Sequence, residues 1–102
     1  MENIVGPSEI PSDSGIVVVL KFEASWCAPC KKLTPLVLKL EEEFSNVKFL
    51  AIDVDNAKEL KTQYKILSVP TLVFLKNGQE FQRVIGLSLI EPLRKILRDS
   101  NE

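Results

Sequence analysis

The chain of 102 residues contains no histidine. That absence removes Ser–His and Cys–His nucleophile pairs, histidine general bases and every zinc site built on imidazole. An excess of one charge is missing too: thirteen Lys plus Arg stand against fourteen Asp plus Glu, for a formal net charge of −1. With no basic surplus to neutralise a phosphate backbone, nucleic acid is not an expected partner. The longest purely apolar run, Ile16 to Leu20, falls far short of the roughly 20 residues that span a bilayer, so no membrane role is expected. The start of the chain, Met1-Glu2-Asn3-Ile4-Val5-Gly6-Pro7, lacks the basic residues and apolar stretch of a secretory leader. The expected compartment is therefore reducing and cytoplasmic. Repeats and low-complexity tracts are also absent.

What is present suits a packed interior. The composition is 45% hydrophobic, 26% charged and 7% aromatic, unlike the core-poor profile of disordered chains. A chain this long accommodates one domain, expected over residues 1–102, and not two. Gly6 to Gly15, with Pro7 and Pro11, reads as a loop holding at most one helical turn, preceded by a short edge strand near Asn3 to Val5. Ile16-Val17-Val18-Val19-Leu20 is a continuous β-branched run, as in a central strand covered on both faces. Leu33, Leu36, Val37, Leu40 and Phe44 recur at helical spacing, with Pro35 inside the pattern as an expected bend. Val47 to Asp53 reads as a second strand. Asn56-Ala57-Lys58-Glu59 resembles a capping box that opens a short helix carrying Ala57, Leu60 and Tyr64 on one face. Thr71 to Leu75 and Glu80 to Ile85 flank Asn77-Gly78, a strong signal for an antiparallel hairpin. A last helix, from about Ser88 to Arg98, has Leu89, Leu93, Ile96 and Leu97 on its buried stripe. A parallel βαβ half followed by a ββα half makes the expected fold α/β, a mixed sheet with helices on both faces.

The only two cysteines stand three apart, in Trp26-Cys27-Ala28-Pro29-Cys30, where the central strand meets the long helix. A thiol at a helix N-terminus feels the positive end of the backbone dipole and its unpaired N–H groups, which favour thiolate. Cys27 is so placed, and a thiolate is the attacking species in disulfide exchange. Cys30, one turn further in, is expected to be more shielded and to attack the mixed disulfide formed on Cys27, leaving a Cys27–Cys30 disulfide. Two structural readings compete. A disulfide across so short a ring removes little unfolded-state entropy, and a zinc site needs four ligands where this pair supplies two, so no metal is expected. Redox chemistry is the stronger reading for a CxxC in a βαβ pattern.

Trp26-Cys27-Ala28-Pro29-Cys30-Lys31 resembles the active-site motif of the thioredoxin family, with Ala28 where Gly is usual. The likeness extends to Pro35, Asp53-Val54-Asp55, Val69-Pro70-Thr71, Lys76-Asn77-Gly78 and Gly86, in order from about Ile16 to the C-terminus. It implies the thioredoxin fold and a thiol-disulfide oxidoreductase that reduces protein disulfides and contributes to redox homeostasis. The Cys27–Cys30 pair would be its redox centre, tuned by Ala28 and Pro29, with no bound cofactor. It further implies a cis Val69–Pro70 bond, a bond that sequence alone would make trans. Val69 and Pro70 would line a groove that takes the substrate backbone as an added strand, and Trp26, Pro29, Gly86 and Leu87 would complete an apolar rim. A lone Trp more often packs in a core; adjacency to Cys27 favours the rim. Implied partners are disulfide-containing proteins and an electron donor of the thioredoxin-reductase type, with the chain acting as a monomer. The segment before the central strand is shorter than is usual in the family, which implies a trimmed first strand and helix.

The departures bear on mechanism. Six residues before Cys27, where the family carries a buried Asp that handles the proton of the resolving thiol, stands Lys21. The family's Lys partner for that Asp aligns with Ala51, and Glu23 replaces a common Trp. Lys21 and Glu23 are two apart on one strand and share a face. Either Lys21 turns to solvent or pairs with Glu23, or it lies beneath Cys30 with its charge or its amine serving that thiol. Two other function classes stay open: a thiol oxidase or isomerase, disfavoured by the Ala28-Pro29 dipeptide, and an interaction module built on the same fold.

Overall fold

The computed structural model describes residues 1–12 and 15–100. Its strands are β1 (Glu2–Asn3), β2 (Val17–Glu23), β3 (Lys48–Asp53), β4 (Thr71–Lys76) and β5 (Gln79–Ile85), and its helices α1 (Ala28–Glu43), α2 (Lys58–Gln63) and α3 (Ile90–Ser100). The strands form one sheet in the order β1-β3-β2-β4-β5. The β-branched run thus lies in the middle, parallel to β3 and antiparallel to β4. Between β1 and β2, Pro7–Glu9 makes a single 3-10 turn. Its Glu9 carboxylate accepts the N–H groups of Val5 and Gly6 at 3.0 and 2.9 Å. Asp13 and Ser14, part of the loop expected there, lie outside the described residues.

Alternation along β2 builds two cores. Val18, Leu20 and Phe22 face Leu60 of α2, Leu50 and Ile52 of β3 and Val73 of β4. Val17 and Val19 face Leu33, Val37 and Leu40 of α1 together with Leu93 and Leu97 of α3. Each such side chain, fully buried, contributes roughly 1.5–3 kcal/mol. A bidentate pair of Arg94 with Glu43, at 2.7 and 2.9 Å, ties α3 to α1. The hairpin forms as its sequence signals: Asn77 and Gly78 both have positive φ, 51° and 78°, the requirement of a type I′ turn. Pro35 lies inside α1, which runs unbroken through it.

Two local expectations are corrected. No capping box opens α2: its N-cap is Ala57, with no side-chain cap bond. Asn56 instead donates its amide to Asp53 Oδ2, because Asp53 organises the preceding turn and takes the Asp55 N–H as well. On α3 the buried stripe uses Ile90 and not Leu89; Leu89 precedes the helix and is 79% exposed. Among the described residues no helix is long and apolar enough to cross a membrane.

Candidate active site

β2 ends at Glu23, and the turn Ala24 to Cys27, closed by the Cys27 N–H on the Ala24 carbonyl at 3.2 Å, leads into α1. Cys27 is the N-cap of that helix, and its sulfur accepts the N–H of Cys30 at 3.2 Å. A helix start leaves its first N–H groups without backbone partners, so a sulfur at the cap sits where negative charge is stabilised. Pro29 occupies the second helical position and carries no N–H, which leaves Cys30 as the cap's donor. The two cysteines are joined as a disulfide with Cα atoms 5.3 Å apart. Burial does not separate them as expected: Cys27 is 4% exposed and Cys30 2%. Their difference lies in position on the helix, one capping it and the other inside its first turn.

Of the remaining predicted residues, Val69 packs against the buried cluster that contains both cysteines. Trp26 is 69% exposed and outside the core, and its indole N–H donates to Asp55 Oδ2 at 2.8 Å. Trp26 and Val69 line one shallow groove together with Asp55, Ile66 and Leu67. The Val69–Pro70 bond is cis, as the resemblance implied. Gly86 donates its N–H to the Pro70 carbonyl at 2.8 Å with φ of 88°, a conformation that favours glycine; no atom lies within 4 Å of where its Cβ would be, so space is not the constraint. Leu87 follows, half exposed. Ala28 and Pro29 are exposed at the helix start.

Lys21 is 0% exposed, and its ammonium pairs with Glu23. Lys21 is therefore paired with Glu23, as the first reading had it, and buried rather than turned to solvent. It stands opposite Ala51 on β3 and Leu72 on β4. Leu67 escaped the sequence reading, and Asp55 and Glu23, both named there, have contacts that it did not foresee. Asp55 has a signal only through the indole it receives, Leu67 is 97% exposed in a loop without periodicity, and Glu23 lines a cavity with Cys30. Among the described residues no three His, Cys, Asp or Glu side chains converge as a metal site would need.

Two sulfurs that can pass between dithiol and disulfide at a helix N-terminus, on this strand order, place the chain among the thiol-disulfide oxidoreductases. A family model described as Thioredoxin matches residues 8–99. The chain is 44% identical over 84 residues to an H-type thioredoxin of Fagopyrum esculentum, covering 82% of this chain and 72% of that one. It is 39% identical over 84 residues to a thioredoxin of Chlamydia trachomatis, over 82% and 81% of the two chains. The crystal structure of Fasciola hepatica thioredoxin superposes with a TM-score of 0.89 at 31% identity, over 98% of this chain and 99% of that one. The chain belongs to the thioredoxin family, whose activity is protein-disulfide reduction.

Proposed function

We propose that Cys27 is the nucleophile and Cys30 the resolving thiol of this activity. The observation that carries the assignment is the cap: the Cys27 sulfur, at the positive end of α1, already holds the Cys30 N–H. In the reduced protein the Cys27 thiolate attacks a substrate disulfide. One substrate sulfur leaves with the electron pair, and a Cys27–substrate disulfide forms. Cys30 then attacks Cys27, the mixed disulfide breaks, and the second substrate sulfur leaves. The substrate disulfide gains two electrons and the protein dithiol loses them, with no bound cofactor in the exchange.

Trp26, Val69, Pro70, Gly86 and Leu87 form the substrate surface. Among the described residues Val69 makes no backbone hydrogen bond within the chain, which leaves its N–H and C=O for an extended substrate segment. Ala28 and Pro29 tune the pair through the donors they offer or withhold. The substrates are disulfide-containing proteins, the electrons return from a donor of the thioredoxin-reductase type, and the protein works as a monomer in the cytoplasm as part of cellular redox balance.

The reduction potential tests the direction of this chemistry. It is read by fluorescence of Trp26, the sole tryptophan, after equilibration with defined dithiol buffers. A reductase falls near about −270 mV, the value typical of thioredoxin, whereas one at or above about −180 mV, typical of disulfide isomerase, overturns the reductase assignment.

A further inference from the structure

Among the described residues Lys21 is the one buried charged side chain, 0% exposed. A buried ammonium is costly unless paired and hydrogen-bonded, and the partner supplied is Glu23 Oε1, two residues along the same strand. Glu23 borders the start of α1. Glu23, Cys30 and Thr34 line one open cavity of about 270 Å3, which Asp53 and Lys31 also reach. A cavity of this size admits water.

During resolution the Cys30 thiol has to lose a proton, and the chain has no histidine to take it. Two carboxylates border the cavity, opposite each other in the register of β2 and β3. Asp53 is committed to its turn: Oδ1 takes the Asp55 N–H at 2.9 Å and Oδ2 the Asn56 amide at 3.3 Å. Lys31 is an ammonium without a lone pair. Glu23 gives one oxygen to Lys21, and among the described residues its Oε2 holds no hydrogen bond.

We infer that Glu23, anchored by the buried Lys21, accepts the proton of the Cys30 thiol in the resolving step. The inference rests on the assignment of Cys30 as the resolving residue. With Cys27 bonded to the substrate sulfur, the Cys30 S–H passes its proton through solvent in the cavity to Glu23 Oε2. The Cys30 thiolate attacks Cys27 Sγ; the Cys27–Cys30 bond forms and the Cys27–substrate bond breaks. The leaving substrate sulfur takes the electron pair and, by way of solvent, the proton that Glu23 held. Lys21 is a positioning residue that acts through Glu23. The charged groups facing Glu23 are Lys21 on its own strand, Asp53 on β3 and Lys31 on α1.

The test is stopped-flow reaction of the reduced protein with dithiobis-nitrobenzoate, which releases one coloured thiolate when Cys27 attacks and a second when Cys30 resolves. Glu23→Gln is expected to leave the first release unchanged, to slow the second roughly tenfold to a hundredfold, and to make the second rise more steeply with pH, because the Cys30 thiol must then lose its proton to solvent. If Glu23→Gln does not fold because Lys21 is left without a counter-ion, Lys21→Met/Glu23→Gln removes both charges and is expected to show the same slow second release. A second release at the parental rate in either folded variant overturns the inference. So does equal slowing of both releases, or an effect of Asp53→Asn larger than that of Glu23→Gln. Absence of a first release in the parent protein is a different failure, that of the nucleophile assignment itself.

Discussion

Replacing Pro29 by Ala changes one feature of the site: it restores an N–H at the second position of α1. The N-cap side chain ordinarily accepts from the second or third helical N–H. Here the third, from Cys30, reaches the Cys27 sulfur at 3.2 Å, while proline withholds the second. Pro29 is exposed, so its removal costs little packing. The added freedom of the unfolded chain affects the oxidised and reduced proteins alike and cancels in the redox equilibrium. What remains is a new hydrogen bond to a charged sulfur. Such bonds contribute about 1.5–3 kcal/mol, and partial hydration of the helix start reduces this to about 1–2 kcal/mol. The bond is stronger to a thiolate than to a disulfide sulfur, so it stabilises the reduced form. At about 30 mV per 1.4 kcal/mol, the potential of Pro29→Ala is expected about 20–40 mV above the parent. Equilibration of both proteins with the same dithiol buffers, read by Trp26 fluorescence, measures the difference. An unchanged or lowered potential would refute the reasoning that donors at the cap set the redox poise.

Removing the two members of the buried pair is expected to have unequal costs. Glu23→Ala leaves the 0% exposed Lys21 without a counter-ion and costs about 2–4 kcal/mol, whereas Lys21→Met leaves a Glu23 side chain that is 28% exposed and hydrates, for a change within about 1 kcal/mol; equal losses in urea denaturation would contradict the burial argument. Lys65 closes α2 with φ of 53°, its N–H on the Thr62 carbonyl and that of Ile66 on the Lys61 carbonyl, the pattern that usually carries glycine. Lys65→Gly is therefore expected to stabilise the protein by about 0.5–1 kcal/mol, read as a shift of the denaturation midpoint, and a loss of stability counts against it. Hydrogen bonds from Arg94 to Glu43, from Arg83 to Glu80 and from the Val5 and Gly6 N–H groups to Glu9 hold these three carboxyls below the ordinary 4.5. Carboxyls lowered in the folded state contribute stability above the unfolded value and lose it as pH falls through the folded one, so unfolding free energy should be level near neutrality and decline below pH 4.5. A denaturation series in which Glu43→Gln leaves that acid slope unchanged would remove Glu43 from the account.

The sheet, the long helix and the hairpin were legible because their signals are local and strong: the β-branched run before Lys21, the spacing from Leu33 to Leu40, and Asn77-Gly78. The start of α2 was not. Asn56 and Glu59 have the spacing of a capping box, but Asp53, three residues upstream, engages the Asn56 amide first, and sequence spacing does not rank such competing bonds. Leu89 and Ile90 are adjacent and both apolar; which one faces the core depends on the exact start of α3, the least determined property of a periodic pattern. At the site, Cys27 and Cys30 were readable from their spacing at the strand–helix junction, and the Val69–Pro70 loop by resemblance. The burial of Lys21 was not, since a long aliphatic stem can carry its ammonium to solvent or to a partner, and the choice here depends on Glu23 and on the helix packed above. The Trp26–Asp55 bond spans 29 residues of sequence and exists only once β3 has been placed beside β2.

The most direct test of the central claim is covalent trapping with a protein disulfide substrate. The Cys30→Ser variant is expected to accumulate a stable mixed disulfide on Cys27, because the first attack proceeds and nothing resolves it. The Cys27→Ser variant is expected to form none. A mixed disulfide on Cys30 in the Cys27→Ser protein, or none in the Cys30→Ser protein, would contradict the assignment of Cys27 as the nucleophile that the helix cap activates.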